Sequence, residues 1–184
     1  MILIFSGTNS TQSPRMQLPL KFENEYIADF LTNEEADHLY IELLEYLEEH
    51  INISLSENTF KTNFGKIMFV EDYLHHKHVF PEAIWGKTAL FPESLFHIRK
   101  EVEKIVKKTF PVCVSIFYPD GDSGVGFHSD YAAFGDTSVI VSISLGAERI
   151  FQFREKESRE EFSMTLKNGS LLVMGKPCQE LYEH

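Results

Sequence analysis

His128-Ser129-Asp130 and His184, the last residue of the sequence, are the residues whose types and spacing could do chemistry. Side chains alternate along a strand, so two residues separated by one share a face. A His-x-Asp pair joined by one distant imidazole offers two nitrogens and a carboxylate. That donor set is the facial triad of non-haem Fe(II) oxygenases, which leaves metal positions open for cosubstrate and O2. Spacing alone is a weak signal, since a chain of this composition supplies about 0.3 such pairs by chance. A solvated strand end would carry the same pair, and a terminal histidine is often inert. Two features strengthen the metal reading. The pair follows a Gly-rich loop and precedes a long β pattern.

A second cluster, His75-His76-Lys77-His78, competes with it. His76 and His78 would share a strand face, but no carboxylate or Cys follows at ligand spacing, so a solvated loop is the simpler reading. His97 falls inside a helical pattern and reads as an ordinary surface or half-buried histidine. The sequence holds no nucleophile elbow, Walker loop, CxxC or GxGxxG, and Gly121, Gly124 and Gly126 are spaced for turns.

Helices precede strands in the part of the chain that must position these groups. Thr32-Asn33-Glu34-Glu35 fits a capping box. Ala36, Leu39, Tyr40, Leu43, Leu44 and Leu47 then recur at helical spacing, which predicts a helix over roughly Asn33–His50. A second helix is predicted from Pro92, with Leu95, Ile98, Val102, Ile105 and Val106 on its apolar face. Strands are predicted at Lys21–Ile27, Lys66–Val70, Val112–Tyr118, Thr137–Leu145, Ile150–Phe153, Phe162–Leu166 and Ser170–Met174. Val139, Val141, Ile143 and Leu145 alternate with serines, and Asn168-Gly169 reads as a hairpin turn. The order implies an α+β fold with a β-sandwich or jelly roll, on which the N-terminal helices pack. Residues 1–20 read as an exposed lead-in and 21–184 as a single domain.

Composition bounds the function. A 43% hydrophobic chain with 16 phenylalanines has ample material for a core. A net charge of -11 argues against strong nonspecific phosphate binding, while leaving room for a local basic patch. Two cysteines make no disulfide framework, so the expected compartment is intracellular, cytoplasmic or nuclear. The apolar start Met1–Phe5 lacks the basic region of a signal peptide, and no apolar run reaches membrane-spanning length. A monomer is expected.

Five segments carry a resemblance: Ile116–Gly121, Gly126–Asp130, Val141–Ala147, Arg149–Arg154 and Asn168–Met174. In order and spacing they resemble the AlkB family of Fe(II)- and 2-oxoglutarate-dependent dioxygenases, closely over residues 111–184. The resemblance implies a double-stranded β-helix core. It also implies oxidative dealkylation of N-alkylated bases in DNA or RNA, in which the alkyl carbon is hydroxylated and leaves as an aldehyde. By position, His128, Asp130 and His184 would bind iron. Tyr118 would hydrogen-bond 2-oxoglutarate, and Ser142 and Phe151 would line its pocket. Arg154, Lys156 and Arg159 form a local basic run where the family approaches a nucleic-acid backbone. A solvated hairpin edge explains that run equally well, because Glu155, Glu157, Glu160 and Glu161 interleave with it. Phe64, Met68, Phe69 and Tyr73 fall where the family builds a base-stacking lid, though strand alternation also accounts for them.

The chain departs from the family at three places. Ile116 stands where the family has an Asn two residues before the pocket Tyr. Tyr131-Ala132 replaces the usual acidic residue near the substrate base. The family continues past the distal His to a strand with two arginines, and this sequence ends at His184. Without that strand an exposed edge and cleft are expected. Losing one charge-assisted contact would weaken cosubstrate binding roughly ten- to a hundredfold. Two other functions therefore stand beside nucleic-acid dealkylation: the same chemistry on a protein or small molecule, and a catalytically silent binding module.

Overall fold

The computed structural model describes residues 2–3, 14–50, 65–81, 86–130 and 135–184. The elements run β1 (Ile2–Leu3), β2 (Arg15–Met16), β3 (Asn24–Ile27), α1 (Asn33–His50), β4 (Gly65–Val70), α2 (Asp72–His76) and β5 (Thr88–Leu90). They continue with α3 (Glu93–Val106), β6 (Val112–Phe117), β7 (Ile140–Ser144), β8 (Arg149–Glu155), β9 (Glu161–Leu166), β10 (Leu171–Met174), α4 (Cys178–Leu181) and β11 (Tyr182–Glu183). Eight strands form one sheet in the order β2-β3-β10-β7-β1-β6-β4-β5, and three form a second in the order β11-β8-β9. None of the described helices is long and apolar enough to cross a membrane.

Two cores follow from the alternation of side chains. On one face of the large sheet, Ile67, Phe69, Val141 and Ile143 meet Leu39 and Leu43 of α1 and Leu95 and Val102 of α3. On the other face, Tyr26, Leu172 and Met174 meet Phe153, Leu166 and Tyr182 of the small sheet. Burying each such side chain contributes about 1.5–3 kcal/mol. Helices therefore cover the outside of the large sheet and the small sheet covers its inside, as the α+β reading expects.

The helix signals match their mechanisms. Thr32 Oγ1 accepts from the Glu35 N–H at 3.2 Å, and Glu35 Oε2 accepts from the Thr32 N–H at 2.8 Å, completing the capping box. Helix α3 begins one residue after Pro92 and ends at Lys107 in the left-handed conformation.

Three expectations change. Asn168-Gly169 does not close a hairpin, because β9 pairs with β8 in the small sheet while β10 pairs with β7 and β3 in the large one. The turn is a corner between sheets. Gly169 takes a φ of +73° there, and a Cβ would come within 2.7 Å of the Leu31 carbonyl oxygen. Ser142 and Ser144 are each 6% exposed, on the inter-sheet side of β7. Residues 72–76 form a helix rather than a strand, so His76 faces Asp72 at 3.2 Å instead of pairing with His78.

The lead-in is not uniformly exposed: β2 joins the edge of the large sheet and Leu18 is buried. Strand β1 lies between β6 and β7, with Ile2 opposite both Ile116 and Ser144, and Leu3 opposite Ile143. Those pairings close the gap between β6 and β7.

Deleting residues 1–3 removes those three cross-strand pairs, each worth about 0.2–1 kcal/mol. The expected loss is about 1–3 kcal/mol in urea unfolding. An unchanged midpoint would show that β1 contributes nothing to the sheet.

Candidate metal centre

The segment after β10 brings the third candidate ligand to the other two. Gly175 passes close to Glu23, where a Cβ would lie 2.8 Å from the Glu23 carbonyl oxygen. One helical turn, α4, then feeds β11, which pairs with β8 through Tyr182 opposite Glu155 and Glu183 opposite Arg154. Tyr182 anchors the strand between Phe22 and Phe153, at ring separations of 5.3 and 6.4 Å. His184 follows directly.

His128 and Asp130 sit in an extended segment outside the regular ladders, so the expected strand is not formed there. The backbone supplies a substitute. His128 N–H donates to the His184 carbonyl at 3.0 Å, and His184 N–H donates to the His128 carbonyl at 2.9 Å. Ser129 Oγ donates to the Tyr182 carbonyl at 3.3 Å, and Asp130 N–H donates to Gln179 Oε1 at 2.8 Å.

These bonds gather the triad. One ligand atom each from His128, Asp130 and His184 lie within 4.8 Å of one another. Nε2 of His184 is 3.3 Å from Asp130 Oδ2, and Nε2 of His128 is 3.8 Å from Asp130 Oδ1. His128 Nδ1 lies 2.9 Å from the Gly126 carbonyl. A carbonyl can only accept, so Nδ1 donates to it and Nε2 is left facing the carboxylate, the orientation of metal-ligating histidines. His184 Nδ1 is buried with no hydrogen-bond partner among the described residues. Burial pushes the Asp130 carboxyl up, but the hydrogen bond from His184 and the charges of both histidines outweigh it and hold it below the usual range. Asp130 is therefore a carboxylate at neutral pH.

A cavity of about 260 Å3 opens beside the triad, lined by Tyr118, Arg149, Phe151 and Gln152 along with both histidines. Phe151 stacks on the His184 ring at 5.6 Å and 21°. Burial raises the Tyr118 phenol above its ordinary pKa, opposed by the Arg149 charge, so it stays a neutral donor. The Arg149 guanidinium lies 4.6 Å from the Tyr118 ring centre and donates to the carbonyls of Asp120 and Ser123.

Sequence reasoning placed Tyr118 and Phe151 at this cavity. Ser142 does not line it, lying opposite Leu172 on β7. Arg149, the first residue of the Arg149–Arg154 segment, joins Tyr118 and Phe151 at the cavity. Its period-2 relation to Phe151 was the available sign that both face inward. Of the residues expected at a lid, Phe64 lies outside the described residues, Met68 is fully buried, Phe69 packs toward Phe91 on the helix side, and Tyr73 is exposed on α2.

The basic run is held by partners. Arg154 donates to Glu183 at 2.7 Å, Arg159 reaches the same carboxylate at 3.2 Å, and Lys156 Nζ donates to the Gln179 carbonyl at 2.7 Å. Cys178 lies beneath Gln179, its thiol pushed up to about 12 by burial and the Asp130 charge.

Comparison with known proteins settles the family. The sequence model of the 2OG-Fe(II) oxygenase superfamily matches residues 24–184. The chain belongs to this superfamily. It is 31% identical over 100 residues to mouse alpha-ketoglutarate-dependent dioxygenase alkB homolog 3, covering 49% of this chain and 35% of the relative. It is 35% identical over 101 residues to the bovine DNA oxidative demethylase ALKBH2, covering 49% and 36%. The human ALKBH2 protein is 33% identical over 99 residues, covering 49% and 38%. The matched stretch thus spans about a third of each of these AlkB relatives.

The superfamily implies Fe(II), 2-oxoglutarate and O2. The residues present fit the metal: a mixed imidazole and carboxylate set, converging, with one tautomer already fixed.

The protein is expected to bind one Co(II), a spectroscopic stand-in for Fe(II), in an anaerobic titration. His128→Ala or Asp130→Ala should weaken binding by at least about a hundredfold, since outer partners alone are worth 10–100-fold. Wild-type affinity in both variants would remove the triad from consideration. Neither Cys113 nor Cys178 should react with a thiol reagent at pH 8 in the native protein, both being buried. Labelling at the rate of a free thiol would contradict that burial.

Proposed function

We propose that the protein oxidatively dealkylates N-alkylated bases in nucleic acid, using 2-oxoglutarate and O2 at an iron held by His128, Asp130 and His184. The observation that carries the reading is the converged triad beside a cavity bearing Tyr118 and Arg149. The two sheets are read as the double-stranded β-helix that the family's jelly roll implies. The printed names of the relatives, a DNA oxidative demethylase among them, support the substrate class.

Iron at the triad would supply a redox-active Lewis acid at which cosubstrate and O2 meet. The remaining work falls to the protein's own groups. Gly126 fixes the His128 tautomer through its carbonyl. The neutral Tyr118 hydroxyl donates toward a cosubstrate carboxylate, and the Arg149 charge behind it favours an anion at that wall. Phe151 closes the wall against His184 and excludes water. Ile116 shares the inward face of β6 with Tyr118 and offers no hydrogen bond of its own.

A second reading, the same chemistry on a protein or small molecule, is favoured by the net charge of -11 and by the Glu183 carboxylate that already engages Arg154 and Arg159. Arg159 leaves 53% of its side chain exposed and is the member of the run best placed to meet a phosphate.

The deciding experiment incubates the protein with Fe(II), 2-oxoglutarate and an N-methylated oligonucleotide, and measures succinate and formaldehyde. Both should form in equal amounts with the methylated strand, and neither with His128→Ala. Tyr118→Phe should raise the KM for 2-oxoglutarate about tenfold, the worth of one hydrogen bond to a charged group. Succinate without strand repair would favour the second reading. No succinate under any condition would leave the silent module.

A further inference from the structure

We propose that Arg154 is a positioning residue of the metal centre, riveting the segment that carries His128 to the segment that carries His184. The proposal rests on the reading of the triad as a metal site and goes beyond it, since Arg154 otherwise belongs to a basic run facing a nucleic-acid backbone.

One side chain touches the neighbour of each histidine. The Arg154 guanidinium lies 3.8 Å from the centre of the Phe127 ring, and Phe127 precedes His128. Its Nε and Nη2 donate to one oxygen of Glu183, at 3.1 and 2.7 Å, and Glu183 precedes His184. Arg154 and Glu183 are also direct partners in the β8–β11 register, so the contact needs no reach across the surface. Arg159 adds a second donor to the same oxygen at 3.2 Å, and Glu161 balances the other side of Arg154 at 3.9 Å. Only 22% of the Arg154 side chain is exposed.

The geometry uses both properties that distinguish arginine. The flat face covers an aromatic ring while the edge donates in a fixed fork. Lysine can satisfy one of these contacts but not both. The reciprocal backbone bonds between His128 and His184 set the spacing of the two segments. They leave each segment free to roll about its own axis, which would swing one imidazole away from Asp130. A stack on Phe127 and a fork on Glu183 resist that roll on both sides. Arg154 touches no ligand atom itself, so its action on the metal passes through Phe127 and Glu183.

The test is an anaerobic Co(II) titration of the full chain without nucleic acid, read by the visible d–d absorption, with circular dichroism of the metal-free protein alongside. Arg154→Lys keeps the charge and removes the face and fork. It should weaken Co(II) binding about tenfold and alter the d–d band, in the range for groups that orient ligands, while the metal-free dichroism stays that of wild type. In a Glu183→Ala background the same substitution should cost clearly less than tenfold, because half of its route is already gone. Wild-type affinity and band shape in Arg154→Lys would overturn the proposal. Should that variant fail to fold, Phe127→Leu and Glu183→Gln test each half of the rivet. Severalfold weaker binding in both would support it, and unchanged binding in both would overturn it. A wild-type chain that binds no Co(II) would instead overturn the metal reading itself, and this role with it.

Discussion

The two backbone hydrogen bonds exchanged by His128 and His184 are the constraint on which the rest of the structure depends. Neither residue lies in a regular ladder. Their peptide groups nonetheless satisfy each other, and buried peptide groups are costly to leave unmade. That pairing places two imidazoles with ring centres 4.8 Å apart on a common side. Asp130, two residues along from His128, then falls between them. The chemistry is a by-product of a backbone closure: any slip in this register by one residue would turn a ligand to the opposite side.

The surrounding fold makes the closure rigid from below and selective from beside. Tyr182, Phe22 and Phe153 form an aromatic base under β11. The inter-sheet space supplies the cavity wall, with Tyr118 reaching it from the end of β6 and Arg149 and Phe151 from β8. A site between two sheets can be dry on its protein side and open at its mouth.

Much of this was legible in the residues, and what was not has a physical reason. The capping box at Thr32 and the apolar spacing of α1 fixed a helix whose bounds the structure matches. The motif segments carry His128, Asp130, Tyr118 and Phe151, which the structure brings near His184. Side-chain alternation, however, reports that a residue faces inward and not which sheet its strand joins. Asn168-Gly169 therefore looked like a hairpin when it is a corner. The charged run at 154–159 read as a surface because its partner, Glu183, lies far along the chain. Ion pairs between distant segments leave no periodic trace.

The place of β1 bears on how the molecule is made. Ile2 pairs with residues 116 and 144, so the large sheet joins segments that lie far apart in the chain. Pairings this distant carry a high loop-closure cost and slow the folding of β-rich chains. β1 is the strand that joins the two halves of the sheet, β6-β4-β5 and β2-β3-β10-β7. Until β1 threads between them, each presents an open edge to its neighbours. The two-residue β1 is thus what separates one continuous eight-stranded sheet from two sheets with open inner edges.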